Sequence, residues 1–279
     1  MGGFWTFESP LEPHFEAPTS EELATSWQMY HQTEAHQLDG DFVGLFEVPE
    51  TAPRAVVSLD LCEVLRESGI ALESIHNSFE DSTPQAHAQN HEYGDLYSAW
   101  QGDARTPTKN RAMLQQLMYL EYVAPVPHHE AIQAFLQRWH HNNIYVIANT
   151  STLPGCETST IKFLADTYPG SLRGILLPGN HDGLGTTTKP DILRQVKQRI
   201  SHDTGFDITT SPTIAIDDAL HHGKNFAEEE NNVQVFMPAY KWNESLENAP
   251  SITRITQRLG TIDTFIAVDN YFVEHGILK

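Results

Sequence analysis

Two hydrophobic periods take turns along this chain. Short apolar, β-branched runs occur at Val56-Val57-Ser58-Leu59, Ile144-Tyr145-Val146-Ile147-Ala148, Gly174-Ile175-Leu176-Leu177, Thr213-Ile214-Ala215-Ile216 and Val233-Gln234-Val235-Phe236-Met237, each too short for a helix. They predict five buried strands. Between them the period changes to that of a helix. Ile132, Phe135, Leu136 and Trp139 fall at i, i+3, i+4 and i+7; a further helix is predicted from near Glu157 to Tyr168; and Ile192, Leu193, Val196 and Ile200 share a face behind Lys189-Pro190. A proline fits in that first turn, whose N–H groups lack a helical partner anyway. Two helical patterns, at about 251–259 and 262–275, close the chain. Strands alternating with helices predict an α/β protein with a Rossmann-like, doubly wound parallel sheet.

The flanking regions depart from this rhythm. Residues 1–52 are rich in Glu, Pro and His and read as an N-terminal extension, packed on the core or forming the subunit contact of a homo-oligomer. Within it, Thr19-Ser20-Glu21-Glu22 is a capping box opening a helix to about His31, and Phe42–Phe46 has a strand pattern. Residues 53–66 and 123–245 carry the core alternation. After Asp60, the spacing of Leu61, Val64 and Leu65 predicts the first turns of a helix. Residues 67–122 are polar and aromatic with no strand pattern, and end in a helix with Met113, Leu114, Leu117, Met118 and Tyr122 on one face. They are expected to form an inserted helical cap whose aromatic residues build its own core. Residues 246–279 form the C-terminal helices.

Charge narrows the partners. With 37 acidic and 17 basic residues among 279, the net charge of −20 repels nucleic-acid backbones and anionic membranes, and no Lys/Arg cluster offsets it. A phosphorylated ligand must therefore be small and locally held, with a cation helping. The two cysteines, Cys62 and Cys156, form neither a disulfide framework nor a zinc pattern. With no long apolar segment and no signal-peptide pattern, a soluble cytoplasmic protein is expected.

The chemistry collects at strand ends. Asp60, Thr150, Lys189 and Asp217-Asp218 follow successive core strands, and ligands bind where the carboxyl ends of a parallel sheet open. These residue types suit Mg²⁺-dependent phosphoryl transfer. Carboxylates hold the hard cation, Lys189 and Thr150 orient phosphoryl oxygens, and Asp60 attacks phosphorus to give an aspartyl-phosphate.

These motifs resemble those of the haloacid dehalogenase-like (HAD) superfamily of phosphohydrolases. Its four motifs are matched in order by Asp60-Leu61-Cys62-Glu63-Val64-Leu65, by Thr150, by Lys189-Pro190 and by Asp217-Asp218. The resemblance covers about residues 54–245 and implies an HAD-like core with a helical cap. It further implies that Asp60 is nucleophile and metal ligand, that the Cys62 backbone carbonyl and Asp217 complete the metal site with Asp218 supporting, and that Thr150, Ser151 and Lys189 bind phosphate. Within the superfamily the chain looks most similar to the 5'(3')-deoxyribonucleotidases, through Pro125-Val126-Pro127-His128, Thr150-Ser151-Thr152-Leu153 and Pro238-Ala239-Tyr240-Lys241-Trp242-Asn243. The implied substrate is a small phosphomonoester, a (deoxy)nucleotide.

One departure bears on activity. Where the phosphatases carry a second Asp as general acid/base, this chain has Cys62, followed by Glu63 in place of the usual Gly. A thiol with an ordinary pKa near 8.5 replaces a carboxylic acid poorly. Three outcomes stay open: a slow or Glu63-rescued phosphohydrolase, different Asp-nucleophile chemistry, or a catalytically impaired ligand-binding or structural protein. Other readings are weaker. Gly179-Asn180-His181-Asp182 echoes one element of dinuclear metallophosphoesterases, but their remaining motifs are missing, and the paired histidines at 128–129, 140–141 and 221–222 read as solvated surface.

Overall fold

The computed structural model describes residues 18–38, 43–68, 123–150, 156–177, 188–229, 232–244 and 250–278. Nearly all of the expected cap, together with Ser151 and the Gly179–Asp182 segment, lies outside the described residues.

The described strands are β1 (His36–Leu38), β2 (Val43–Phe46), β3 (Ala55–Leu59), β4 (Arg66–Glu67), β5 (Ala124–Pro125), β6 (Ile144–Asn149), β7 (Gly174–Leu177), β8 (Thr213–Ile216), β9 (Val233–Pro238) and β10 (Ile252–Ile255). The α-helices are α1 (Ser20–His31), α2 (His129–His141), α3 (Glu157–Thr167), α4 (Lys189–Thr204), α5 (Leu220–Glu229) and α6 (Ile262–Glu274). Eight strands form one sheet in the order β1-β2-β7-β6-β3-β8-β9-β10. From β7 to β10 every pairing is parallel, whereas β1 and β2 add on antiparallel at the β7 edge. The α/β Rossmann-like expectation is met.

Two apolar layers cover the sheet. On one face Ala55, Val57 and Leu59 of β3 pack with Leu23 and Trp27 of α1, Ile132, Leu136 and Trp139 of α2, and Phe265, Val268 and Phe272 of α6. On the other face Val56 joins Ile192, Leu193, Val196 and Ile200 of α4 and Phe226 of α5. Every residue of β3 is buried, as a central strand covered on both sides requires. Trp139 anchors the first layer: its Nε1 donates to Asp269 Oδ1 at 2.9 Å, and its rings meet Phe265 and Phe272 at centroid distances of 5.8 and 5.3 Å. Caps fix two helix starts, the first of them expected from the sequence. Thr19 and Glu22 close the capping box on α1, and Thr188 with Asp191 closes one on α4, with Pro190 in its first turn. Residues 20–46 contribute α1, β1 and β2 to the core and sheet.

Two expectations fail. Residues 252–255, expected to be helical, form β10, which extends the sheet beside β9. Ile252, Thr253 and Ile255 are β-branched, and four residues suffice for an edge strand; the apparent helical spacing reached Leu259 only by counting a residue that is 60% exposed. The helix expected after Asp60 is a turn instead. Leu65 and Arg66 N–H both donate to the Leu61 carbonyl, and Glu63 takes a left-handed φ of 58°. Arg66–Glu67 then pair antiparallel with Ala124–Pro125. Leu61, Val64 and Leu65 are fully buried, so their apolar spacing serves tertiary burial of a turn and not a helix face.

Candidate active site

The strand order places this site. From β3 the chain proceeds outward through β6 and β7, then returns to the other side of β3 with β8, so the order reverses between β3 and β8. The loops leaving these two strands separate at such a reversal and open a crevice above the sheet. Asp60 leaves β3 and Asp217-Asp218 leave β8 at that point. Each strand-end residue stays tied to its neighbour: Asp60 N–H donates to Ile216 O at 2.9 Å, Asp217 N–H to Phe236 O at 3.3 Å, and Thr150 N–H to Leu176 O at 3.0 Å. Lys189 arrives from the far side as the first residue of α4, its position set by the Thr188 cap.

Lys189 Nζ donates to Asp60 Oδ1 at 2.8 Å and to Asp217 Oδ2 at 2.7 Å. All three side chains are at least 93% buried. A carboxylate oxygen from each of Asp60, Asp217 and Asp218 lies within 4.8 Å of the others, so residues 157 positions apart in sequence meet over one spot above the sheet (60 to 217). Ala219 N–H fixes the second oxygen of Asp217 at 2.9 Å.

Charge does not balance here. Three carboxylates face one ammonium, leaving an excess of two negative charges when all are ionised. Burial raises the pKa of Asp60, opposed by Lys189 and reinforced by Asp217. Burial raises Asp218 further, with Asp60, Asp217 and Glu63 adding to it. Burial works against the Lys189 ammonium too, but Asp217 and Asp60 outweigh it and hold the lysine above its usual value. The donor set is all oxygen, anionic and compact, which fits a hard divalent cation such as Mg²⁺ and would cancel the excess.

Beside the carboxylates, Thr150 Oγ1 is buried with no hydrogen-bond partner among the described residues, as is Asn149 Oδ1. Asn149 Nδ2 is engaged, donating to Ser58 Oγ at 3.1 Å and to the Lys189 carbonyl at 3.0 Å. An orphaned buried hydroxyl costs free energy until something accepts its proton. Thr150 directly follows β6, the strand that pairs with β3, and its unengaged hydroxyl would suit a ligand oxygen.

The turn that follows Asp60 is tied down by its own side chains. Cys62 is half-buried, and its Sγ accepts from Arg66 NH2 at 3.5 Å. Glu63 is buried with Oε1 accepting from Ser68 Oγ at 3.0 Å, and its carboxylate is outside the group of three. Glu63 holds a positive φ of 58°, a conformation that glycine would adopt without cost.

Three residues of the segment 238–243, quoted from the sequence only for its likeness to the nucleotidases, contact the site in a way the sequence did not assign. Trp242 Nε1 donates to Asp218 Oδ2 at 3.0 Å, Asn243 Nδ2 donates to the Asp218 carbonyl at 3.0 Å, and Tyr240 OH donates to the Glu63 carbonyl at 2.8 Å. The spacing of Asn243 from Pro238 carries no sign of Asp218, which reaches the segment only through the fold. His222, expected on the solvated surface, is half-buried near Lys189 and Asp60; burial and the Lys189 charge lower its pKa to about 2, so it stays neutral. A separate cavity of about 470 Å³, lined by Glu47, His140, Tyr145 and Arg173 among others, opens at the opposite edge, where β6 and β7 begin. It shares no residue with the carboxylate group.

No protein-family profile matches the sequence, and no curated protein does. Solved structures do match. An HAD family hydrolase from Deinococcus radiodurans R1, determined with bound phosphate and sodium, is 15% identical, aligns over 82% of this chain and 99% of its own, and superimposes with a TM-score of 0.50. An HAD-superfamily hydrolase of subfamily IA from Geobacter sulfurreducens PCA is 9% identical, over 80% of this chain and 99% of its own, with a TM-score of 0.46. At such identities the likeness is one of fold.

Proposed function

We propose that this chain, which shares the fold of HAD hydrolases, is a Mg²⁺-dependent phosphohydrolase acting on a small phosphomonoester of the (deoxy)nucleotide class through an aspartyl-phosphate. The observation that carries the reading is Lys189 bridging Asp60 and Asp217 at 2.8 and 2.7 Å beside Asp218. Asp60, Asp217 and the Cys62 carbonyl would hold the cation with Asp218 in support. Bound magnesium supplies positive charge that offsets the phosphoryl oxygens.

The protein groups do the rest. The phosphate enters a buried crevice where Lys189 turns its ammonium and Thr150 its hydroxyl toward phosphoryl oxygens, with Ser151 assigned to the same role from the sequence alone. Asp60 then forms an O–P bond as the ester P–O bond breaks and the alcohol departs, and water hydrolyses the acyl phosphate to regenerate the carboxylate. Protonation of the departing alcohol is the weak step. Cys62 stands where a carboxylic acid is expected, and the Glu63 carboxylate is engaged by Ser68. Turnover should therefore be slow, because general acid–base help is worth about 10²–10⁴ in rate.

Cys62 also favours a second reading, in which the chain binds Mg²⁺ and phosphate without turnover. Phosphate release from a nucleotide panel separates the two. Magnesium-dependent release that Asp60→Asn abolishes supports the enzyme; magnesium binding with no release from any nucleotide supports the binding protein.

A further inference from the structure

We infer that Trp242 is a positioning residue for the metal site, setting the orientation of the Asp218 carboxylate through its indole N–H. This rests on the reading of Asp60, Asp217 and Asp218 as a cation site. The three carboxylates are not held alike. Asp60 and Asp217 are bridged by the Lys189 ammonium, and Asp217 also accepts from Ala219 N–H. Asp218 is held differently: Trp242 Nε1 donates to its Oδ2 at 3.0 Å and Asn243 Nδ2 to its backbone carbonyl at 3.0 Å. A neutral donor here has a chemical logic. It fixes one carboxylate oxygen without bringing a second positive charge into a site that must still attract a cation, and it leaves the other oxygen to face that cation.

The indole is itself held firmly. Tyr240 and Trp242 stack with centroids 4.2 Å apart and planes 9° apart. Asn243, fully buried, accepts from Tyr240 N–H and Arg254 Nε while its amide spans the Asp218 and Pro238 carbonyls at 3.0 and 2.9 Å. Arg254 also donates to the Tyr240 carbonyl at 2.8 Å. Through Tyr240 OH, the same segment grips the Glu63 carbonyl on the loop that follows Asp60. The segment after β9 thus clamps the exits of β3 and β8, and Trp242 is the part of it that touches a carboxylate.

Trp242→Phe removes the donor and keeps a ring on Tyr240. Magnesium binding to the full chain, measured calorimetrically without substrate, should weaken by about 10–100-fold, the usual cost of losing such a partner. Melting temperature without metal should stay close to that of the wild type. Trp242→Tyr, which places no donor where the indole nitrogen sits, should give the same loss and serves if Trp242→Phe does not fold. In an Asp218→Ala background, which leaves the indole N–H nothing to orient, the Trp242 substitution should cost nothing more, which a merely structural role would not produce. Wild-type affinity in the folded Trp242 variants overturns the inference alone. A wild-type chain that binds no magnesium overturns the cation-site reading and the inference with it.

Discussion

Lys189→Met tests the electrostatics of the site most directly. The side chain is 2% exposed and its ammonium lies 2.8 and 2.7 Å from two carboxylates that are themselves 7% and 2% exposed. Methionine keeps most of the volume and removes the charge, leaving Asp60 and Asp217 facing each other with no cation. Breaking a buried ion pair by deleting one partner costs about 3–5 kcal/mol. For a chain of this size each kcal/mol moves the midpoint by roughly 2–4 °C, so a fall on the order of 10 °C is expected at neutral pH. Two conditions should reverse it. Asp60 already has a raised folded pKa; with Lys189 gone it rises further, so the penalty is absent below the unfolded carboxylate pKa and grows as pH climbs through the folded one. Acidification should therefore narrow the gap between variant and wild type. Magnesium should narrow it as well, by replacing the missing positive charge between the carboxylates. Thermal unfolding followed by circular dichroism, at acid and neutral pH and with and without magnesium, reads all of this. A variant as stable as the wild type at neutral pH, or a deficit equal at both pH values, refutes the argument.

Two further outcomes can be checked quickly. If the chain is the proposed phosphohydrolase, Cys62→Asp places a carboxyl at its acid/base position, and magnesium-dependent phosphate release should rise by about 10²–10⁴; an unchanged rate would mean that this position is not what limits turnover. Cys156 is fully buried and burial, with Glu157 nearby, pushes its thiol up to about 12, whereas Cys62 is half-buried. A thiol-reactive dye at mildly alkaline pH should label Cys62 in the native protein and Cys156 only after denaturation; equal labelling of both in the native state would contradict the packing of Cys156.

How much of this could be read from the residues depended on which interactions were local. The central strands were legible because a strand buried on both faces must be nearly all apolar, as in Ala55–Leu59, where Ser58 is the one polar residue, and Ile144–Ala148. The start of α1 was legible because Thr19 with Glu22 completes its hydrogen bonds within four residues, and that of α4 because Pro190 sits in its first turn. Asp60, Thr150, Lys189, Asp217 and Asp218 were visible because strand ends in a parallel sheet open onto one edge. Ser151 lies outside the described residues. What stayed hidden depended on partners distant in sequence. Leu61, Val64 and Leu65 have helical spacing, yet the burial available around Asp60 turns them into a loop with Glu63 at positive φ. Ile252–Ile255 becomes a strand because β9 offers an unpaired edge, which no local pattern announces. Sequence by itself thus determined the order of elements and the identity of the charged groups, since period and capping are properties of neighbouring residues. Only the tertiary structure decided that Lys189 bridges Asp60 to Asp217 and that Trp242 reaches Asp218, since those distances depend on how the strands and loops around β3 and β8 pack in space.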